Sequence, residues 1–180
     1  MAVAARYAVH TAKALETIVW LANANPGIDI YHVVKGAFYA DKYHLNKYGR
    51  PISGDDYQAD TYGPLGQSVY RLLNGDPIEM LALGGNGPLP FAVGDRWQVT
   101  ADREANGRLL SASDVEALTY AIGFVRNLSF DDLVRLTHEE GAYIAADGGR
   151  MRYEDLLDED DPRRKEKADD LAETARFAVF

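Results

Sequence analysis

The chain has 180 residues, 47% of them apolar, which suffices for one well-buried core and is close to the usual size of a single domain. Its formal charge of -9 at pH 7 provides no large positive field for phosphates, so nucleic acid is disfavoured as a partner and a basic partner fits better. The absence of cysteine excludes a disulfide framework and a thiolate metal site, and no stretch approaches the roughly 18 uninterrupted apolar residues of a membrane helix.

The first residues, Met1-Ala2-Val3-Ala4-Ala5-Arg6, carry no apolar run of signal-peptide length, and a cytoplasmic location is the expectation. Across residues 11–23, Leu15, Ile18, Val19 and Ala22 recur at helical spacing, and Asn25-Pro26-Gly27 supplies a stop. Asp29 can cap a second helix, whose apolar positions Ile30, Val33, Val34, Ala37, Phe38, Leu45 and Tyr48 form one stripe ending at Gly49. Residues 51–59 contain Ser53-Gly54-Asp55-Asp56, turn chemistry between short extended pieces, and predict a small hairpin or hooked loop. Pro64 suits the first position of a third helix, with Leu65, Val69, Leu72 and Leu73 as its buried face and Gly75 as its stop.

Residues 76–95, rich in proline and carrying Gly84-Gly85-Asn86-Gly87, lack periodicity and read as a loop. Trp97-Gln98-Val99-Thr100 alternates as a short strand does, with residues 91–93 or the earlier hairpin as its partner. Ser113-Asp114-Val115-Glu116 has capping-box spacing and opens a helix on Val115, Leu118, Ile122 and Val125. Ser129 caps a short helix with Leu133, Val134 and Leu136, broken by Gly141 and Gly148-Gly149. After acidic residues 154–161, Asp161-Pro162 opens a final amphipathic helix over residues 162–177. The expected architecture is mainly α: one compact helical domain of about six helices with a small β-hairpin between the second and third.

Projected at 100° per residue, Asp41 falls in the middle of the stripe made by Ile30, Val34, Phe38, Leu45 and Tyr48. A buried carboxylate without hydrogen bonds costs several kcal/mol, so backbone amides, a tyrosine hydroxyl or a cation should meet it, with His44 one turn away and Tyr62 as further donors. Asp41 and His44 could also form an acid/base pair, but no cysteine or serine-elbow motif accompanies them. The four histidines are scattered, and His32 and His44 project about 120° apart on their common helix, so no metal set and no cofactor is expected. In Tyr62-Gly63-Pro64, glycine permits a tight approach and proline fixes φ, so the tyrosine is held in one direction. Eleven tyrosines, several between Tyr31 and Tyr70, are more than a core alone requires and could anchor a partner. The acidic residues 154–161 are a solvated surface, a seat for a basic segment of a partner, or a calcium site. The apolar end, Phe177-Ala178-Val179-Phe180, either docks on its own domain or offers a peptide that an unfoldase could grip.

Lys35, Phe38-Tyr39-Ala40-Asp41, His44, Gly49-Arg50-Pro51, Tyr57, Ala59, Tyr62-Gly63-Pro64 and Tyr70 fall at spacings that together resemble the Panacea domain of SocA-like antitoxins and prophage-associated proteins. The matching region spans about residues 11–75, with a weaker echo in Leu136-Thr137-His138-Glu139-Glu140-Gly141. Asp60 departs from the aromatic residue common before the Tyr-Gly-Pro turn, and Leu65 from the valine that follows it. The resemblance implies a non-enzymatic antitoxin that neutralises a cognate protein toxin by direct binding, or that delivers it as a proteolytic adaptor to the ClpXP protease. It also implies that Tyr39, Asp41, His44, Tyr57, Asp60, Tyr62 and Tyr70 build or shape a toxin-facing groove, with Gly63 and Pro64 forming its turn. Phe177, Val179 and Phe180 would then be a tail for the ClpX unfoldase. The alternatives are a small hydrolase or metal-binding enzyme using Asp41 and His44, and a DNA-binding autoregulator. Self-association as a homo-oligomer remains open.

Overall fold

The structure is a computed structural model and describes residues 4–85, 87–175 and 177. Helix α1, Thr11–Ala24, and helix α2, Ile30–Tyr48, form where periodicity and caps place them. Asp29 Oδ1 accepts the His32 amide at 2.9 Å, satisfying one of the free donors at the start of α2, and Gly49 ends the helix at φ 75°. The buried side of α2 carries Val33, Val34, Ala37, Phe38 and Leu45, and it packs against α1, α5 (Ala112–Val125) and α3 (Gln67–Leu73). The helix is therefore the axis on which the other elements are hung.

The hairpin between α2 and α3 exists, but seven residues later than the Gly54 turn chemistry predicts. Strand β1, Tyr57–Asp60, pairs antiparallel with β2, Gly63–Gly66, and Thr61-Tyr62 form the turn. Pro64 is thus a strand residue opposite Ala59 rather than the first residue of a helix. Its missing amide costs nothing there, and the Ala59 amide donates instead to the Gly149 carbonyl at 2.9 Å. The start of α3 has no cap of its own. Asp55, 13 and 14 residues upstream, accepts the Ser68 and Val69 amides at 2.8 and 3.1 Å. A Cβ on Gly66 would lie 2.6 Å from Asp55 Oδ2, so glycine is what lets the remote cap close.

The span expected to be a loop contains α4, Pro77–Ala82, with Asp76 as its cap and Pro77 at its first position. It also contains β3, Phe91–Val93, which pairs with β4, Val99–Ala101, as a second hairpin, the first of the two partners expected for that strand. Trp97 lies in the turn of that hairpin, not in a strand. The capping box of α5 is Ser111 with Asp114, two residues before the expected pair: Ser111 Oγ accepts the Asp114 amide at 3.2 Å and Asp114 Oδ2 the Ser111 amide at 2.9 Å. Helix α6, Phe130–His138, starts at its expected Ser129 cap, whereas Gly141 opens a further short helix, α7, Gly141–Ala146. A 3-10 turn, Tyr153–Leu156, precedes α8, Arg164–Thr174, which begins two residues after Pro162. Among the described residues there are accordingly eight α-helices and two hairpins rather than about six and one. None of these helices is long and apolar enough to cross a membrane.

Candidate functional site

Asp41 is 2% exposed. Its Oδ1 accepts the Ile52 amide at 2.8 Å and its Oδ2 the Tyr57 hydroxyl at 2.9 Å, which ties α2 to the segment entering the first hairpin. Burial pushes the carboxyl up to about 7 against those two donors. His44 points elsewhere. Its Nδ1 lies 2.7 Å from the Arg50 carbonyl, an acceptor, so Nδ1 carries the proton and Nε2 receives the Ser113 hydroxyl at 2.9 Å. Burial holds the imidazole below its ordinary value. Asp114, fully buried beside it, also takes Lys13 Nζ at 2.8 Å and Arg50 Nη2 at 3.2 Å. Asp41 and His44 therefore belong to two separate polar networks, and His44 does not partner the Asp41 carboxylate.

The turn of the first hairpin is gripped by side chains from three helices. The Tyr143 hydroxyl donates to Asp60 O at 2.9 Å, His138 Nε2 to Thr61 O at 3.1 Å, Tyr31 Oη to Tyr62 O at 2.9 Å, and Lys35 Nζ to Pro64 O at 2.7 Å. Lys35 is buried, and its ammonium sits 4.9 Å from the centroid of the Tyr31 ring. Burial draws its pKa down to about 7, opposed by Asp60. Gly63, at φ 98°, is packed so closely that a Cβ would lie 2.3 Å from Thr137 Oγ1. With its carbonyls fixed in this way, the turn displays the Tyr62 ring, 55% exposed, against Phe130 at 5.6 Å between centroids.

Next to it, Tyr31, Tyr70, Trp97 and Phe130 line a groove of about 460 Å³, with Asp29 and Arg96 among its polar edges. Tyr31 and Phe130 touch at 4.5 Å between centroids. Trp97 is 62% exposed and has φ 61°, a left-handed conformation that is costly for a bulky side chain. Its backbone is pinned on both sides, the amide donating to Gly94 O at 2.9 Å and the carbonyl accepting the Ile30 amide at the start of α2 at 3.0 Å. The strained, hydrogen-bonded backbone thus holds the indole in an exposed position.

Of the residues the sequence nominates, Asp60, Tyr62 and Tyr70 reach the surface at or near this groove, while Tyr39, Asp41, His44 and Tyr57 are buried beneath the surface. Tyr39 instead meets Phe124 edge-on at 4.8 Å under a different groove. Phe177 is 77% exposed, and Val179 and Phe180 lie outside the described residues. Sequence reasoning missed Tyr31, Trp97 and Phe130 as members of one surface. The available signal was Gly94-Asp95-Arg96-Trp97, a turn sequence that ends in an aromatic residue. Among the described residues no group of three or more His, Asp or Glu side chains could hold a metal ion.

Curated proteins and solved structures yield no match to this chain. The family model described as "Antitoxin SocA-like, Panacea domain" matches residues 33–143, well over half of the chain. That span carries the Asp41 tie, both hairpins, three of the four turn-gripping side chains, and Tyr62, Tyr70, Trp97 and Phe130 of the aromatic face. The chain belongs to the SocA-like antitoxin family, the Panacea-domain proteins of toxin–antitoxin systems.

Proposed function

We propose that the chain acts as a single domain whose aromatic face binds a cognate protein toxin directly and neutralises it without catalysis. The observation that carries this reading is the set Tyr62, Tyr70, Trp97 and Phe130, large rings held at the surface on a backbone that is hydrogen-bonded in place. Rigid, exposed aromatics supply contact area at small entropic cost, and they are the residue types that dominate binding energy at protein interfaces. Asp41, Tyr57 and His44 serve that face from below by fixing the segments that lead into the first hairpin. A formal charge of -9 speeds encounter with a basic toxin more than it raises affinity.

Delivery to ClpXP is the further role that the family resemblance adds, with Phe177 as the described part of a tail for the unfoldase. A catalytic alternative based on Asp41 and His44 is weakened by their separate hydrogen-bond networks. The test is co-expression with the neighbouring reading frame, followed by purification with and without ClpX. A heteromer that persists without the protease supports neutralisation by binding, and toxin loss that requires ClpX supports delivery. Failure of the two chains to associate sinks the reading. A salt-dependent shift of its own promoter DNA would favour the autoregulator instead.

A further inference from the structure

A second groove, of about 390 Å³, runs beside the C-terminal half of α2, away from the aromatic face at its N-terminal end. Its floor includes Tyr43 and Tyr120, stacked at 4.4 Å with 26° between planes, and Phe124. Both Tyr120 and Phe124 are exposed. Asp158 lines the same groove, and Asp155 and Glu159 continue the acidic wall into an adjoining depression of about 290 Å³. None of these three carboxylates makes an ion pair among the described residues.

The molecule already seats two cations of its own along this wall. The Lys47 ammonium lies 5.5 Å from the Tyr43 ring centroid and 5.4 Å from that of Tyr48 while pairing with Glu116. Lys42 pairs with Glu140 at 2.5 Å, next to Tyr39. The Lys47 seat combines an aromatic surface with a carboxylate, the arrangement that attracts a cation both through the ring quadrupole and by charge. Tyr120, Phe124 and Asp158 line the same groove as these two lysines, and among the described residues no cation lies over either ring or pairs with Asp158.

We infer that this groove takes an arginine-containing basic segment of a partner protein, its guanidinium lying on Tyr120 and Phe124 and pairing with Asp158 and Glu159. Arginine fits better than lysine because its planar, weakly hydrated head both stacks on rings and forks onto carboxylates. Nucleic acid is repelled by the same wall, and a second copy of this acidic chain brings like charge to it. The inference does not depend on the toxin-binding reading, because it uses residues at the other end of α2.

The experiment is fluorescence anisotropy of a labelled Arg-Gly repeat peptide added to the full chain at low and physiological salt. The expected result is saturable binding that weakens by about tenfold in Asp158→Lys/Glu159→Lys and again in Tyr120→Ala. A control, Asp131→Lys/Asp170→Lys, makes the same change of net charge at exposed positions outside the groove and should retain most of the binding. Thermal melts confirm that each variant is folded. Equal loss in the two charge-reversed variants would mean that net charge alone attracts the peptide, and it overturns the proposal. So does equal binding of a Lys-Gly repeat, or no binding to the wild-type chain.

Discussion

Two buried carboxyls and one buried lysine give this protein an unusual dependence on pH. Asp41, at about 7, and Asp55, at about 6, both stand above their ordinary value because burial disfavours the charged form. The folded state holds more protons than the unfolded chain between about pH 4 and 7, so their contribution is complete below that window and lost as pH rises through it. Lys35 has the opposite sign. Its pKa of about 7 in the fold means that burying it costs most below pH 7, and the cost lifts as pH rises toward the ordinary lysine value. Glu16, Asp29 and Asp114 are lowered and act only at still lower pH, while His32 is raised and His44 lowered, and these two oppose each other. Stability is therefore expected to pass through a minimum near pH 7, measured by urea denaturation between pH 5 and 9. Asp41→Asn, which keeps an acceptor for the Ile52 amide, should flatten the acid side of that curve; an unchanged slope would place its origin elsewhere.

The hairpin β1–β2 is the element on which the aromatic face depends, and remote groups hold its turn in addition to the pairing of its own strands. Gly63→Ala forces a side chain into a left-handed φ and onto Thr137 Oγ1, with an expected loss of about 3 kcal/mol in denaturant unfolding. Asp55→Ala removes two amide partners from the start of α3 and is expected to cost about 2 kcal/mol, whereas Asp55→Asn retains one acceptor oxygen and should cost less. The positions of the hairpin and of the start of α3 differ from what the local sequence predicts, for a physical reason. The φ of proline suits both a helix start and a strand, so Pro64 alone does not decide between them. Asp55 looks like turn chemistry because its true partners lie 13 and 14 residues away. Helices α4 and α7 each have only six residues, too few to show a period, although Asp76-Pro77 did carry the start signal for α4.

At the scale of the whole molecule, the aromatic groove gathers residues from α2, α3, the second hairpin turn and the start of α6. Trp97 tests whether that assembly is a binding surface. Trp97→Gly relieves the left-handed strain and is expected to raise stability by about 1 kcal/mol, read as an upward shift of the melting temperature. The same change should weaken toxin binding by about 2 kcal/mol, roughly thirtyfold, in a titration of the co-purified partner. Stability and binding moving in opposite directions is the signature of a residue kept for recognition. If both fall together, the indole is packing the fold and the face is misassigned.

The sequence by itself determined what local periodicity and local caps encode. It set the limits of α1 and α2, the start of α6 and the burial of Asp41 within its apolar stripe. Through the spacing from Lys35 to Tyr70 it also set the family. A helical projection shows which side of a helix a residue occupies, but not what covers that side. Only the tertiary structure decided that Asp41 and His44, three residues apart, are drawn into different networks by Ile52 and Tyr57 on one hand and by Arg50 and Ser113 on the other. It also decided that Tyr57 is buried and Tyr62 exposed on one hairpin, and that Trp97 and Phe130 join Tyr31 and Tyr70. Those outcomes rest on contacts between residues far apart in the chain, which no local pattern records.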